Sequence, residues 1–366
     1  MKFLHVACLI AILITIQACS DIKEEPAHDF FSQYSQRQFE MGFSTWIYAP
    51  EIEALNNTYR FIADNGDIYC EHIDNSIPWN ALINDQTLPA EFTDEIESRV
   101  TRKIQEKKLL VSVSLLNIDR DDLASDFDGS IPEYFSLDDQ HIEDAYYKHL
   151  AYIAQQLQPD YVNVAIEANE LLINSPDKWN GYKRLMRSVR TRFKAEFPGI
   201  AISESMTLHN LYKPEVADAG KYIDEVTDYM NTLDFASISF YPFFKGLTSK
   251  SDFQKAFDFL HTHIDVPVAF SETSYLSEDL YLDNLKLSIS GNEQEQDDYL
   301  QTLLCNAQER DYLYTIWWAH RDYDALWETF PDEVKEIGKL WLSTGIINED
   351  GKEKQALSSW KKAYLK

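Results

Sequence analysis

The sequence predicts a single (β/α)8, or TIM, barrel on three observations. Short β-branched or aromatic runs alternate with amphipathic helical stretches from Phe39 onward, the alternation repeats eight times, and the fourth and seventh runs each end on a glutamate. Alternating strands and helices bury a parallel sheet on both faces, which makes the strands read as near-continuous apolar runs. Eight such units are the number that closes a barrel. A doubly wound open sheet is the competing arrangement, but no Gly-rich phosphate loop follows the first run, where the chain reads GFSTWIYAP.

The strands are expected in order at MGFSTWIY (41–48), DIYCEHI (67–73), KLLVSVSLL (108–116), YVNVAIE (161–167), GIAISES (199–205), DFASISFYP (234–242), VPVAFSE (266–272) and YLYTIWWA (312–319). Each is short and rich in residues that suit a pleated, buried surface. Between them, apolar residues recur at helical spacing, as in IEDAYYKHLAYIAQQL (142–157), NGYKRLMRSVRTRFKAEF (180–197) and NEQEQDDYLQTLLCNAQ (292–308). With 366 residues and 45% hydrophobic content, the chain can fill a core of this size.

Charge excludes some partners. The 61 acidic against 33 basic residues give a formal charge of −28, which repels nucleic acid and anionic membrane surfaces. No cysteine or histidine pair stands at metal-ligand spacing, and no cofactor motif occurs, so neither a metal nor a cofactor is expected.

The first 18 residues lie outside the expected fold. MKFLHVACLIAILITIQACS has a basic start, an apolar stretch too short to span a bilayer comfortably, and a small residue before Cys19. It resembles a bacterial lipoprotein signal, which implies cleavage before Cys19, lipidation of that thiol, membrane attachment through the lipid and residence in the cell envelope. Ser20 and Asp21 fit the outer membrane. Residues 19–38 read as a polar tether, leaving residues 39–366 as the barrel domain. Of the remaining cysteines, Cys70 and Cys305 sit in apolar settings and read as two buried thiols, with a disulfide as the alternative.

In a barrel, the C-terminal strand ends share one mouth. A glutamate that ends a buried strand therefore points at that mouth, and Glu167 (fourth strand) and Glu272 (seventh) face each other across it. Two opposed carboxyl groups are the requirement of glycoside hydrolysis, one protonating the leaving oxygen and the other attacking the sugar. In a retaining enzyme they stand about 5 to 5.5 Å apart.

With those residues in view, the chain resembles the clan of retaining glycosidases that includes cellulases, mannanases and endo-galactanases, and within it the arabinogalactan endo-β-1,4-galactanase type. The phrases that carry the resemblance are PDYVNVAIE (159–167), SFYPFF (239–244) and VAFSETSY (268–275), and it extends from about Gly42 to the closing GIINEDGKEKQALSSWKKAY (345–364). It implies Glu167 as acid/base, Glu272 as nucleophile and a β-linked, galactan-like carbohydrate as substrate. One position departs. The clan has an Asn before the acid/base, where this chain has Ile166. Either Asn169 substitutes for that amide, or Asn169-Glu170 is the true motif and Glu170 the acid. Ile166 also keeps open a carbohydrate-binding or envelope-assembly protein on a glycosidase-like barrel; a metal-dependent barrel hydrolase is a third reading.

Other strand ends supply candidate sugar contacts. Trp46, Tyr48, Tyr241, Trp317 and Trp318 could stack on sugar rings. His72, Asp74, Asn117, Glu204, His209, His320 and Asp322 could bond hydroxyls or tune the carboxylates.

Overall fold

The computed structural model describes residues 33–74, 76–282 and 286–366. The signal segment and Cys19 lie outside the described residues. The first half runs β1 (Glu40–Ser44), α1 (Ile52–Asn65), β2 (Ile68–Ile73), α2 (Trp79–Ile83), α3 (Ala90–Thr101), β3 (Lys108–Val113), α4 (Gln140–Leu157), β4 (Tyr161–Asn163), α5 (Glu170–Asn174) and α6 (Trp179–Glu196). The second half runs β5 (Ala201–Ser203), β6 (Ser205–Thr207), α7 (Leu208–Tyr212), α8 (Ala219–Met230), β7 (Ala236–Phe240), α9 (Lys250–His263), β8 (Val268–Thr273), the hairpin β9 (Leu280–Leu282) and β10 (Leu287–Ile289), and α10 (Glu293–Glu309). The chain closes with β11 (Tyr314–Trp317), α11 (Asp324–Trp327), α12 (Asp332–Gly338) and α13 (Gln355–Tyr364).

The parallel sheet has the order β5-β4-β3-β2-β1-β11-β8-β7-β6. Its two ends, β5 and β6, are consecutive in the chain and separated only by Glu204, so they are one interrupted strand and the sheet closes into an eight-stranded barrel. All eight expected strands are present. Closure between β1 and β2 needs a glycine: a Cβ on Gly42 would lie 1.8 Å from the carbonyl oxygen of Ile68. The fourth strand differs from expectation. Its regular ladder stops at Asn163, while Val164 still donates to the Ser203 carbonyl (2.8 Å) and Ala168 to that of Ser205 (2.9 Å).

Side chains alternate between two apolar layers. A small cluster of Ile68, Cys70, Leu110, Phe235, Ala269, Tyr314 and Ile316 fills the barrel interior, and a large one packs strands against helices. Cys70 belongs to the interior and Cys305 to α10, both as buried thiols outside any disulfide. Tyr34, Arg37 and Gln38, read from the sequence as tether, are instead held on the barrel: Tyr34 donates to Glu309 (2.7 Å), Arg37 pairs with Asp67 (2.7 Å), and the Gln38 amide donates to Gln308 (3.0 Å). These partners lie where α10 ends and β2 begins, on the face opposite the mouth.

Candidate active site

The register at β7 and β8 decides where the seventh-strand glutamate points. Ile238 pairs with Phe270 and Ser239 pairs with Glu272, so Ser271 is an extra residue on β8. Phe270 packs outward against Phe257 and Tyr312. Strict alternation would send Glu272 the same way, and the bulge turns it into the mouth instead, a common use of bulges beside sites. Ser239, opposite Glu272 in the sheet, donates to the Glu167 carboxylate at 2.7 Å. One serine therefore touches one carboxylate and stands beside the other.

Glu167 reaches the mouth by a strained route. Its φ is +54°, the left-handed region that a non-glycine residue adopts at a cost of about 1–2 kcal/mol, while its backbone N–H is held by Ser205 Oγ at 2.9 Å. Three residues on, Glu170 opens α5 and accepts from Thr207 and Asn210, and its burial pushes its carboxyl upward. Asn169 is fully buried. Its side-chain nitrogen donates to Thr207 Oγ1 and the Tyr222 hydroxyl (2.9 Å each), and its oxygen accepts from the Thr207 amide (2.7 Å). These bonds pin the start of α5 to the fifth strand and leave Asn169 no part in holding a sugar, so the expected substitution for Ile166 does not occur.

An arc of alternating charge joins the two glutamates. Arg120 forms a bidentate pair with Asp74 (2.7 and 3.1 Å) and lies 3.6 Å from Glu167. His72 lies 3.9 Å from Asp74 and 3.5 Å from Glu272. Burial opposes the imidazolium, yet Asp74, Cys70 and Glu272 outweigh it and hold His72 up to about 10. Burial pushes Glu272 up to about 7, with Glu167 adding to the rise while His72 and the donating Tyr241 hydroxyl work against it.

Of the expected sugar contacts, Trp46, His72, Tyr241 and Trp318 gather around this pair. Trp46 and Trp318 have ring centroids 5.1 Å apart, and Trp318 meets His72 edge-on at 5.2 Å. Their indole N–H groups distinguish them. Trp79, Trp179, Trp317, Trp327 and Trp360 all donate to protein oxygens at 2.7–2.9 Å, whereas the buried Nε1 atoms of Trp46, Trp318 and Trp341 have no partner among the described residues. Ser44 Oγ is likewise unpartnered, and with Trp46, Trp318, His72, Arg99 and Arg102 it lines a cavity of about 260 Å³. Buried donors without protein partners suit a ligand rich in hydroxyls.

The remaining expectations are corrected by side-chain direction. Trp317 is fully buried and faces α10, packing at a tilt beside Tyr299 and donating to the Thr344 carbonyl, because neighbours in a strand point to opposite faces and Trp318 takes the inward one. Glu204 is the residue at the β5–β6 break and points outward. There it accepts from Tyr182 (2.5 Å) and Tyr229 (2.8 Å) and pairs with Arg190 (3.1 Å), a buried charge satisfied by α6 and α8. Tyr48 is covered on one face by the Arg321 guanidinium, with its hydroxyl accepting from Asn57. Asn117 binds Asp121 and the following amide, building the turn that presents Arg120. Asp322 pairs with Lys354 in the interior, His320 stacks on Phe61, and His209 packs beside Phe244; burial pushes both histidines down to about 3.

Three residues escaped the sequence reading: Arg120, Ser239 and Trp341. Arg120 is one arginine in an acidic loop, NIDRDD, with no periodicity to mark it. Ser239 sits one step inside a strand end and reads as filler. Trp341, 5.8 Å from Tyr241, lies in a short 3-10 segment after the last strand.

Comparison with known proteins follows the same direction. The family model described as glycosyl hydrolase family 53 matches residues 134–309. Over that stretch, just under half of its length, the chain is similar to the family 53 glycosyl hydrolases. The GH53 catalytic domain of Ignisphaera aggregans superposes with a TM-score of 0.58 at 16% identity, over 89% of this chain and 96% of that one. A GH5_18 protein from Bifidobacterium longum subsp. longum ATCC 55813 gives 0.61 at 15% identity, over 90% and 78%. An exo-β-1,4-mannosidase from Opitutaceae bacterium strain TAV5 gives 0.63 at 11% identity, over 91% of this chain and 61% of that one. At these identities the superpositions speak for the barrel. No curated protein sequence matches the chain.

Proposed function

We propose that this glycoside hydrolase is a retaining β-glycosidase that works by double displacement on a β-linked oligo- or polysaccharide, with a galactan-like chain as the first substrate to try. The observation that carries the reading is the shared mouth of Glu167 and Glu272, with Ser239 bonded to the first and paired in the sheet with the second. Glu272 attacks the anomeric carbon while Glu167 gives its proton to the departing oxygen, leaving a glycosyl ester on Glu272. Glu167, now ionised, takes a proton from water, whose oxygen displaces Glu272 and restores the original configuration. Tyr241 and the His72 imidazolium steady Glu272 as the anion that leaves in this second step. The sugar attacked by Glu272 lies on the side of His72, Trp318 and the cavity; the leaving group lies on the side of Glu167.

Trapping tests the reading. Activated 2-deoxy-2-fluoro-β-glycosides of galactose, glucose and mannose are incubated with the protein, and digested peptides are weighed. A mass gain on the peptide carrying Glu272 is expected, and the sugar that traps fastest names the glycone. Binding of glycans without trapping or turnover across the panel would favour the non-catalytic carbohydrate-binding protein.

We further propose attachment to the bacterial outer membrane through a lipid on Cys19. Because Tyr34, Arg37 and Gln38 dock on the face opposite the mouth, such an anchor would join the barrel from that face. Metabolic labelling with an alkyne fatty acid is expected to tag the wild type and leave Cys19→Ser unlabelled; labelling of both would remove the anchor from Cys19.

A further inference from the structure

Resting on that reading, a difficulty in the geometry points to an unassigned role. Glu167 must hold a proton when substrate binds, yet a guanidinium stands 3.6 Å from it, and a cation so close favours the ionised carboxylate. We propose that Asp74 is a positioning residue for the reaction: by taking Arg120 in a bidentate pair, and standing within reach of His72, it offsets both cations so that Glu167 can act as an acid.

The geometry favours Asp74 as the owner of the guanidinium. Its two oxygens lie 2.7 and 3.1 Å from Arg120, closer than Glu167, and Arg120 Nη1 is also held by Ser114 Oγ (3.2 Å) and the Asn117 carbonyl (3.0 Å). The guanidinium is thus drawn toward β2 and β3. Asp74 stays ionised throughout the working range: despite burial, His72 and Arg120 hold its carboxyl well below the usual range. The groups around the pair are few. Glu167 meets Arg120 from the loop after β3, Ser239 from β7, the carboxyl groups of Glu170 on α5 and Glu272 on β8, and the neutral Tyr241 hydroxyl after β7. Asp74 meets His72 from β2, Arg120, Glu272 and the Tyr146 hydroxyl from α4. No other cation is paired with Glu167 among the described residues.

The test reads the pH profile of kcat/KM, whose alkaline limb reports the acid. Asp74→Asn keeps the size of the side chain and removes its charge, exposing Glu167 to an uncompensated guanidinium. The alkaline limb is expected to move about one pH unit toward acid. Arg120→Gln is expected to move it the opposite way, and the charge-balanced double variant to return it near the wild-type position. These opposed directions are what a merely structural contact does not produce. A limb that stays in place in Asp74→Asn while activity falls at every pH would overturn the proposal, as would movement of both single variants in one direction. Should Asp74→Asn fail to fold, Arg120→Gln alone decides by the direction in which its limb moves. Failure of the underlying reading shows separately, as a wild-type alkaline limb that persists unchanged with an aryl glycoside whose leaving group needs no protonation.

Discussion

Glu272→Gln is expected to abolish turnover, by about 10⁴-fold or more, and at the same time to make the folded protein more stable above neutral pH. The first effect follows from removing the nucleophile of the proposed mechanism. The second follows from linkage. Burial raises Glu272 from the usual 4.5 to about 7 in the folded state, so the fold holds a proton there that the unfolded chain releases. Below about pH 4.5 both states are protonated and the residue costs nothing. As pH rises from there to 7 the penalty grows, and above 7 it is constant. Glutamine cannot ionise and escapes it. At pH 8 the variant should gain up to about 3 kcal/mol, because each pH unit separating the folded from the unfolded pKa is equivalent to about 1.4 kcal/mol. Melting curves of the two proteins at pH 4 and pH 8 check this: coincident at the first, separated at the second. Equal separation at both would mean that packing, and not the buried charge, sets the difference. A site that sacrifices stability for a poised carboxylate is a known pattern in enzymes.

Glu167→Ala is expected to split the two chemical steps. An aryl glycoside with a very good leaving group needs little protonation, so the glycosyl-enzyme should form quickly and hydrolyse slowly, giving a burst followed by a slow steady state. Added azide should then restore turnover and yield a β-glycosyl azide, because a small anion fills the space of the missing carboxylate and attacks without a base. With poor leaving groups the loss should reach about 10²–10⁴-fold. Glu170→Ala is the contrasting case. Glu170 is bonded to Thr207 and Asn210 at the start of α5, and its removal should lower stability while leaving the pH profile in place. Azide rescue in Glu170→Ala and not in Glu167→Ala would transfer the acid role to Glu170.

The choice between these two glutamates illustrates what can be read along a chain. Strand length favours Glu167, and the structure adds the reason that Asn169 and Glu170 are not interchangeable with it: both are consumed by side-chain bonds to the fifth strand and its following helix. No local pattern announces those bonds, because Thr207 and Tyr222 are 38 and 53 residues from Asn169.

The eight-strand alternation and the barrel were determined by the sequence alone, since burial on both faces writes itself as apolar runs, and the sequence also placed Glu167 and Glu272 at strand ends. Tertiary structure decided direction. Trp317 and Trp318 are adjacent and equally apolar, yet the two-residue period sends one to the helices and the other to the site. Glu204 ends a strand as plausibly as Glu167 does, but its phase turns it outward to Tyr182, Tyr229 and Arg190. Glu272 is rescued from the wrong phase by one bulged residue that only pairing with β7 reveals. The charge arc through Arg120 and Asp74 was beyond sequence reading for the same physical cause: its members lie 46 residues apart and meet only because parallel pairing of β2 with β3 brings the loops that follow them to one rim.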